Sequence, residues 1–91
     1  MTATAEVRVR IVNPLGLHAR PISQFVKLAG RFSAGVRVKG PGGEADGCSV
    51  LSMMTLQGTQ GSEIEIRADG EDAQAAVDAL RSLIEGGFGE M

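Results

Sequence analysis

The sequence predicts an α+β fold of the open-faced β-sandwich type: a four-stranded antiparallel sheet covered on one face by three helices, in the order β-α-β-β-α-β-α. Three segments alternate apolar and polar residues with the period of two that a half-buried strand requires, and a weaker fourth follows a glycine turn. Two segments repeat apolar residues at helical spacing, and a third apolar run begins with a capping serine. One-faced strands cannot stand alone, and the amphipathic helices supply their cover.

Residues 5–12 (AEVRVRIV) place Val7, Val9 and Ile11 on one face and Glu6, Arg8 and Arg10 on the other. Asn13-Pro14 ends the alternation, and Gly16 frees the loop that follows. From about residue 19 the period changes. Ile22, Phe25, Val26, Ala29 and Phe32 form a helical stripe. Pro21 suits its first turn, where a missing N–H costs nothing, and Gly30 lies near its end. Residues 34–39 alternate again, with Val36 and Val38 inward, and Gly40-Pro41-Gly42-Gly43 reads as a hairpin turn into a weak strand around 44–47.

Residues 49–57 (SVLSMMTLQ) are too apolar for a loop and open on Ser49, a good N-cap, which predicts a short helix. Gly58 and Gly61 bracket a turn. Residues 62–68 carry Ile64 and Ile66 on one face and Glu63, Glu65 and Arg67 on the other. Asp69 is the expected cap of a last helix with the stripe Ala73, Ala76, Val77, Leu80, Leu83 and Ile84. Gly86-Gly87 should stop it, leaving residues 88–91 as a frayed tail. There are no internal repeats or linkers.

At 91 residues the chain is expected to form one domain over 1–91. A chain this size buries roughly 60–65% of its unfolded surface, enough for a single two-layer core. No deep cavity for a large cofactor is expected, and no cofactor. Nine Lys+Arg against 11 Asp+Glu, with three Phe and no Trp or Tyr, argue against a nucleic acid partner. No apolar run approaches the ~18 residues of a membrane span. The N-terminal residues show no basic leader followed by an apolar core. One Cys cannot close an internal disulfide, and one Cys with one His cannot supply a zinc tetrad. The expectation is a cytoplasmic protein without metal, disulfide or membrane insertion.

The 13 glycines invite a nucleotide-binding reading, and Gly40 to Ala45 formally matches G-x-G-x-x-A after a strand. That fingerprint must open a helix that receives a pyrophosphate on its N-terminus. Asp46 and Gly47 follow instead of a helical stripe. A hairpin turn is the better reading.

His18 is the sharper feature. It lies in Gly16-Leu17-His18-Ala19-Arg20-Pro21, where a glycine loop meets a helix N-terminus. Orphan N–H groups and the helix dipole attract anions there. Arg20 adds a cation of phosphate-matching geometry. Imidazole ordinarily titrates near neutrality, so a neutral, nucleophilic fraction exists at pH 7. The alternative is that His18 merely caps or packs and Arg20 is solvated. Local physics suggests phosphate handling without establishing it.

The run Asn13-Pro-Leu-Gly-Leu-His-Ala-Arg-Pro21, followed by a helix containing Phe25-Val26, resembles the active-site signature of the HPr family, the histidine-containing phosphocarriers of the bacterial phosphoenolpyruvate-dependent sugar phosphotransferase system. Residues 49–56 resemble the family's regulatory-serine helix, and Gly61 to Ile66 with Gly70 to Ala73 resemble its C-terminal half. The resemblance covers essentially the whole chain.

It implies that His18 accepts a phosphoryl group on Nδ1 from phosphorylated enzyme I and passes it to EIIA-type proteins. The chain would then be a covalent relay rather than an enzyme. It implies that Arg20 stabilises the phosphate, while Gly16, Ala19 and Pro21 shape the site. The matching serine, Ser49, is a regulatory phosphorylation site in many members. That brings in a serine kinase/phosphorylase and a transcriptional regulator as further partners. Cys48 precedes it where many such members have Lys, which leaves regulation open. Val50, Leu51 and Met54 match partner-binding positions or else are core, and Leu51 and Met54 are the expected outward pair. Lys27 steers partners or simply solubilises. Cys48 is read as a small packing residue. The chain is expected to be a monomer. The alternatives are the same carrier chemistry in nitrogen regulation or a dihydroxyacetone-kinase relay, or a non-catalytic regulatory binding module. Retention of His18 counts against the last.

Overall fold

The computed structural model describes residues 3–90. Four strands, β1 (Ala3–Arg10), β2 (Gly35–Gly40), β3 (Gly43–Asp46) and β4 (Glu63–Gly70), form one antiparallel sheet in the order β1-β4-β2-β3. The helices are α1 (Ala19–Ala29), α2 (Val50–Met53) and α3 (Ala73–Glu85), with 3-10 turns at Met54–Leu56 and Gly87–Gly89. The open-faced architecture expected from the sequence is the one observed. Because β4 enters between β1 and β2, those two run parallel without touching, and α1 crosses between them.

Alternation explains the layering. Val9 of β1 and Ile11 just after it, Val36 and Val38 of β2, and Ile64, Ile66 and Ala68 of β4 are buried on one face. Ile22, Phe25 and Ala29 of α1 and Ala76, Val77, Leu80 and Ile84 of α3 close over them. Full burial of one such Ile, Leu or Phe side chain contributes about 1.5–3 kcal/mol. The other sheet face stays open and carries charges in register: Glu6 opposite Arg67, Arg8 opposite Glu65, Arg10 opposite Glu63. Arg37 and Arg67 also face each other, a like-charge pair relieved by Arg37–Glu44 at 3.1 Å and Arg67–Asp69 at 3.4 Å. Exposed pairs of this kind contribute about 0–1 kcal/mol each, so they set register more than stability.

The hairpin between β2 and β3 pairs Gly40 with Gly43 and turns on Pro41-Gly42. The G-x-G-x-x-A run therefore opens no helix. Two sequence expectations fail at the end of the chain. Asp69 does not cap α3. It belongs to β4, opposite Thr4 and Gly35, and accepts the Thr4 hydroxyl at 2.7 Å. Asp72 stands at the N-cap position, but its carboxylate leaves α3 uncapped and accepts the N–H groups of Ser33 and Ala34, both at 2.8 Å. Nor is the tail frayed as far as residue 90. Gly87 and Phe88 are buried, and Phe88 joins the core. A large apolar side chain so close to the core gains more from burial than the backbone gains from fraying. Met91, the last residue of the expected frayed tail, lies outside the described residues.

The two aspartates have a measurable consequence. The backbone N–H of Ser33, helped by Ala34, holds the Asp72 carboxyl below its ordinary value, and the Thr4 hydroxyl does the same for Asp69. A depressed folded value means stability present above the unfolded value of about 4 and lost as pH falls through the folded one. Urea midpoints should therefore drop from about pH 5 downwards, and Asp72→Asn should flatten that acid limb while lowering the plateau at pH 7.

Candidate functional site

The site begins with a turn. Asn13-Pro14-Leu15-Gly16 closes through the Gly16 N–H donating to the Asn13 carbonyl at 3.1 Å, with Pro at the second position, where its fixed φ is an advantage. Gly16 then adopts φ 67°, and a Cβ there would lie 2.4 Å from the Gly58 carbonyl oxygen. Only glycine fits. The Leu17 N–H donates to that same carbonyl at 2.7 Å, which seats the loop on the turn that follows the Met54–Leu56 segment.

His18 is the N-cap residue of α1, with extended backbone, and its side chain makes no capping bond. The imidazole is thus free to project from the helix start, about one-third exposed. The His18 N–H donates to Gly16 at 3.0 Å, its carbonyl accepts from Ile22 at 3.0 Å, and Pro21 has no N–H. Ala19 and Arg20 therefore supply the helix's two open backbone donors, at the positive end of its dipole. Arg20 is exposed, and among the described residues its guanidinium pairs with no carboxylate. Pro21 is buried in the first turn. The structure thus brings Gly16, His18, Ala19, Arg20 and Pro21 into one neighbourhood with its cationic elements uncommitted. Lys27 sits exposed in the last turn of α1, a full helix away from His18.

Two residues enter that the sequence reading did not single out. Glu90 places Oε2 2.9 Å from His18 Nε2. Asn13, with no exposed surface, donates from Nδ2 to the Gly16 carbonyl at 2.9 Å and to Glu90 Oε1 at 2.8 Å. A carboxylate 72 residues away in sequence gives no local signal. The Asn before Pro14 did carry one, but it read as a turn residue.

Ser49 is the N-cap of α2, and its Oγ accepts the Ser52 N–H at 3.2 Å. Of the run that follows, Met53 and Leu56 are buried, whereas Leu51 is 80% exposed, Met54 55% and Val50 37%. Leu15, in the turn before His18, is 74% exposed. Leu51 and Met54 do point outward as expected; Leu15 was not anticipated. Cys48 corrects the sequence reading: it is exposed rather than a packing residue of the interior. Partial burial and then the nearby Asp46 push its thiol up, so it remains a poor nucleophile.

A hollow between Arg37, Lys39, Glu44, Glu65 and Arg67 lies on the open sheet face, where Arg37 pairs with Glu44, Glu65 with Arg8 and Arg67 with Asp69.

The family described as the PTS HPr component phosphorylation site matches residues 5–86. The chain belongs to the HPr family. A phosphocarrier protein HPr of Cupriavidus necator is 41% identical over 80 residues, covering 88% of this chain and 90% of that one. A phosphocarrier protein NPr of Proteus mirabilis is 43% identical over 84 residues, covering 91% and 93%. The fold matches the crystal structure of HPr-C-His from Thermoanaerobacter tengcongensis with a TM-score of 0.90 at 38% identity, over 96% of this chain and 98% of that one. The matched span includes the HPr signature around His18 and the Ser49 helix, and it ends before Glu90.

The seat of the HPr loop can be tested directly. Gly16→Ala should cost at least about 2 kcal/mol, roughly 10 °C in Tm for a domain this size. Gly35→Ala, with open space and an ordinary φ, is the control and should leave the thermal melt nearly unchanged.

Proposed function

We propose that this protein carries a phosphoryl group on His18, accepting it from phosphorylated enzyme I and donating it to EIIA-type proteins in phosphoenolpyruvate-dependent sugar uptake. It acts in the cytoplasm as a monomer folded as one domain over residues 1–91. The observation that carries the reading is His18 itself, a part-exposed imidazole at a helix start, beside two open N–H donors and an exposed Arg20 that pairs with no carboxylate among the described residues. Membership in the HPr family supports it.

The chemistry is a displacement at phosphorus. The lone pair of one imidazole nitrogen, Nδ1 in this family, forms the N–P bond. The bond from phosphorus to the donor atom breaks, and its electron pair leaves with the donor. The phosphoryl oxygens keep their negative charge, which Arg20 and the Ala19 and Arg20 N–H groups face. Imidazole is a good leaving group, so the bond can break again when an acceptor nucleophile arrives. The chain ends each cycle unchanged, a relay and not an enzyme.

Leu15, Val50, Leu51 and Met54 form the apolar contacts for partners, and Lys27 provides steering charge. Methionine suits a surface that must serve a donor and several acceptors in turn. Ser49 is a second modification position, for a serine kinase/phosphorylase. A phosphate there adds about −1.5 to −2 charge next to Val50 and Leu51 and would hinder docking of enzyme I. In that state the chain could instead engage a transcriptional regulator. A second reading has the same relay serving nitrogen regulation or a dihydroxyacetone kinase. Relatives named HPr and NPr are 41% and 43% identical, so likeness does not choose the acceptor. Profiling against purified EIIA-type proteins does.

Incubation with phosphoenolpyruvate and enzyme I should yield an acid-labile phosphoryl group that His18→Ala abolishes. Its persistence in the alanine variant sinks the assignment. Arg20→Ala should slow transfer by on the order of a hundredfold while leaving the fold intact. Leu51→Glu should raise the KM for enzyme I about tenfold, with no change in the melting curve.

A further inference from the structure

We propose that Glu90 is a positioning residue of this relay: its carboxylate holds the single proton of the neutral His18 ring on Nε2, so that Nδ1 meets the phosphoryl donor bare. The inference rests on the phosphocarrier reading above and assigns the tautomer on which that reading depends.

A neutral imidazole has one N–H donor and one lone pair, and which nitrogen has which is set by the partner of the other. A carboxylate only accepts. Glu90 Oε2, 2.9 Å from Nε2, therefore places the hydrogen on Nε2. The geometry is braced from behind. Glu90 Oε1 accepts from Asn13 Nδ2, whose other hydrogen goes to the Gly16 carbonyl, so both donors of a fully buried amide are used. One carboxylate oxygen is fixed to the loop that shapes the site and the other to the reacting ring. The Glu90 side chain is 18% exposed against 36% for His18, so the contact is shielded from water on the carboxylate side.

The tail that delivers Glu90 is held in a costly way. Phe88, a bulky residue, sits at φ 55° with its side chain buried in the core, and Glu90 N–H donates back to the Gly87 carbonyl at 2.9 Å. A non-glycine residue in that region persists only when its surroundings over-determine it. Here they do so where the chain turns back toward His18.

The step then needs no proton transfer. Nδ1 forms the N–P bond as the bond to the donor breaks with its electron pair. The ring, still protonated at Nε2, gains positive charge, and that charge develops against the Glu90 carboxylate. On donation the electrons return to Nδ1 and the neutral ring keeps its Nε2 proton.

Glu90→Gln separates this role from a structural one. The amide oxygen can still accept from Asn13, but the amide nitrogen donates, so ring Nε2 must accept and the proton moves to Nδ1. Nitrogen-15 NMR of the neutral His18 ring should show Nε2–H in the parent chain and a shift toward Nδ1–H in Glu90→Gln. Phosphoryl acceptance from enzyme I should fall about tenfold or more, with the melting temperature little changed. Glu90→Ala, which neither accepts nor donates, should give a mixture of tautomers and an intermediate rate. Predominant Nδ1–H in the parent chain overturns the inference, as does an unchanged tautomer and rate in Glu90→Gln. A parent chain that takes no phosphoryl group at all overturns the carrier reading instead, so the two failures are distinct.

Discussion

The working end of this molecule depends on the missing side chain at Gly16. Its left-handed backbone lets the chain lie against the Gly58 carbonyl at a distance no Cβ could tolerate. Leu17 then uses that carbonyl as its hydrogen-bond acceptor, and the next residue, His18, falls at the first position before α1. Move the loop outward by the width of a methyl group and the Asn13 amide loses its hold on the Gly16 carbonyl. Glu90, bound to the same amide, would shift with it. A packing constraint between two backbone segments thus sets the position of an imidazole, a helix start and a distant carboxylate together.

The electrostatics follow from that placement. Next to His18 in the chain, at the start of α1, are positive elements: the open N–H groups of Ala19 and Arg20 and the exposed Arg20 side chain. The Glu90 carboxylate meets the ring at Nε2. A ring with a carboxylate at Nε2 is polarised in one direction, with that edge as its donor and Nδ1 as the edge left for other contacts. Neither set would work as well alone. On the proposed reading, cations near the ring without the carboxylate would disfavour the charge that the ring would acquire on taking up phosphorus, whereas the carboxylate without the cations would repel an incoming phosphoryl group.

Much of this was legible in the sequence because the periodicities are strong. Val36, Val38, Ile64 and Ile66 alternate with charged residues, and Ile22, Phe25 and Ala29 repeat at helical spacing, so the strands, α1 and the buried faces could be read directly. His18 and Arg20 stood out because a helix start, a glycine loop and an imidazole converge within six residues. What stayed hidden depends on tertiary choices. Asp69 and Asp72 are both plausible caps, and the sheet decided between strand and cap: pairing with Thr4 and Gly35 carries β4 through Asp69. Phe88 follows two glycines in a terminal segment, a pattern that reads as fraying, and only the space left beside α3 made it core. Glu90 is polar, terminal and remote from His18 in sequence, so its contact exists only once Phe88 has anchored the tail.

The exposed apolar residues complete the physical account. Leu15, Leu51 and Met54 remain in solvent although the chain has a well-filled core, while their neighbours Met53 and Leu56 are fully buried. A short helical segment with one apolar side in the core and another in water is costly to an isolated domain, since that surface gains nothing until something covers it. The same segment leads into the Gly58 turn on which the His18 loop is seated, so a backbone hydrogen bond ties the uncovered surface to the loop that carries the imidazole. A reactive side chain on an open surface has little means of excluding water by itself. A partner that covers the apolar residues would supply that exclusion, and would do so only while it is bound. The size of the chain bears on this: a single two-layer core leaves little material for a deep cleft, and on the proposed reading the bound partner would supply the second wall.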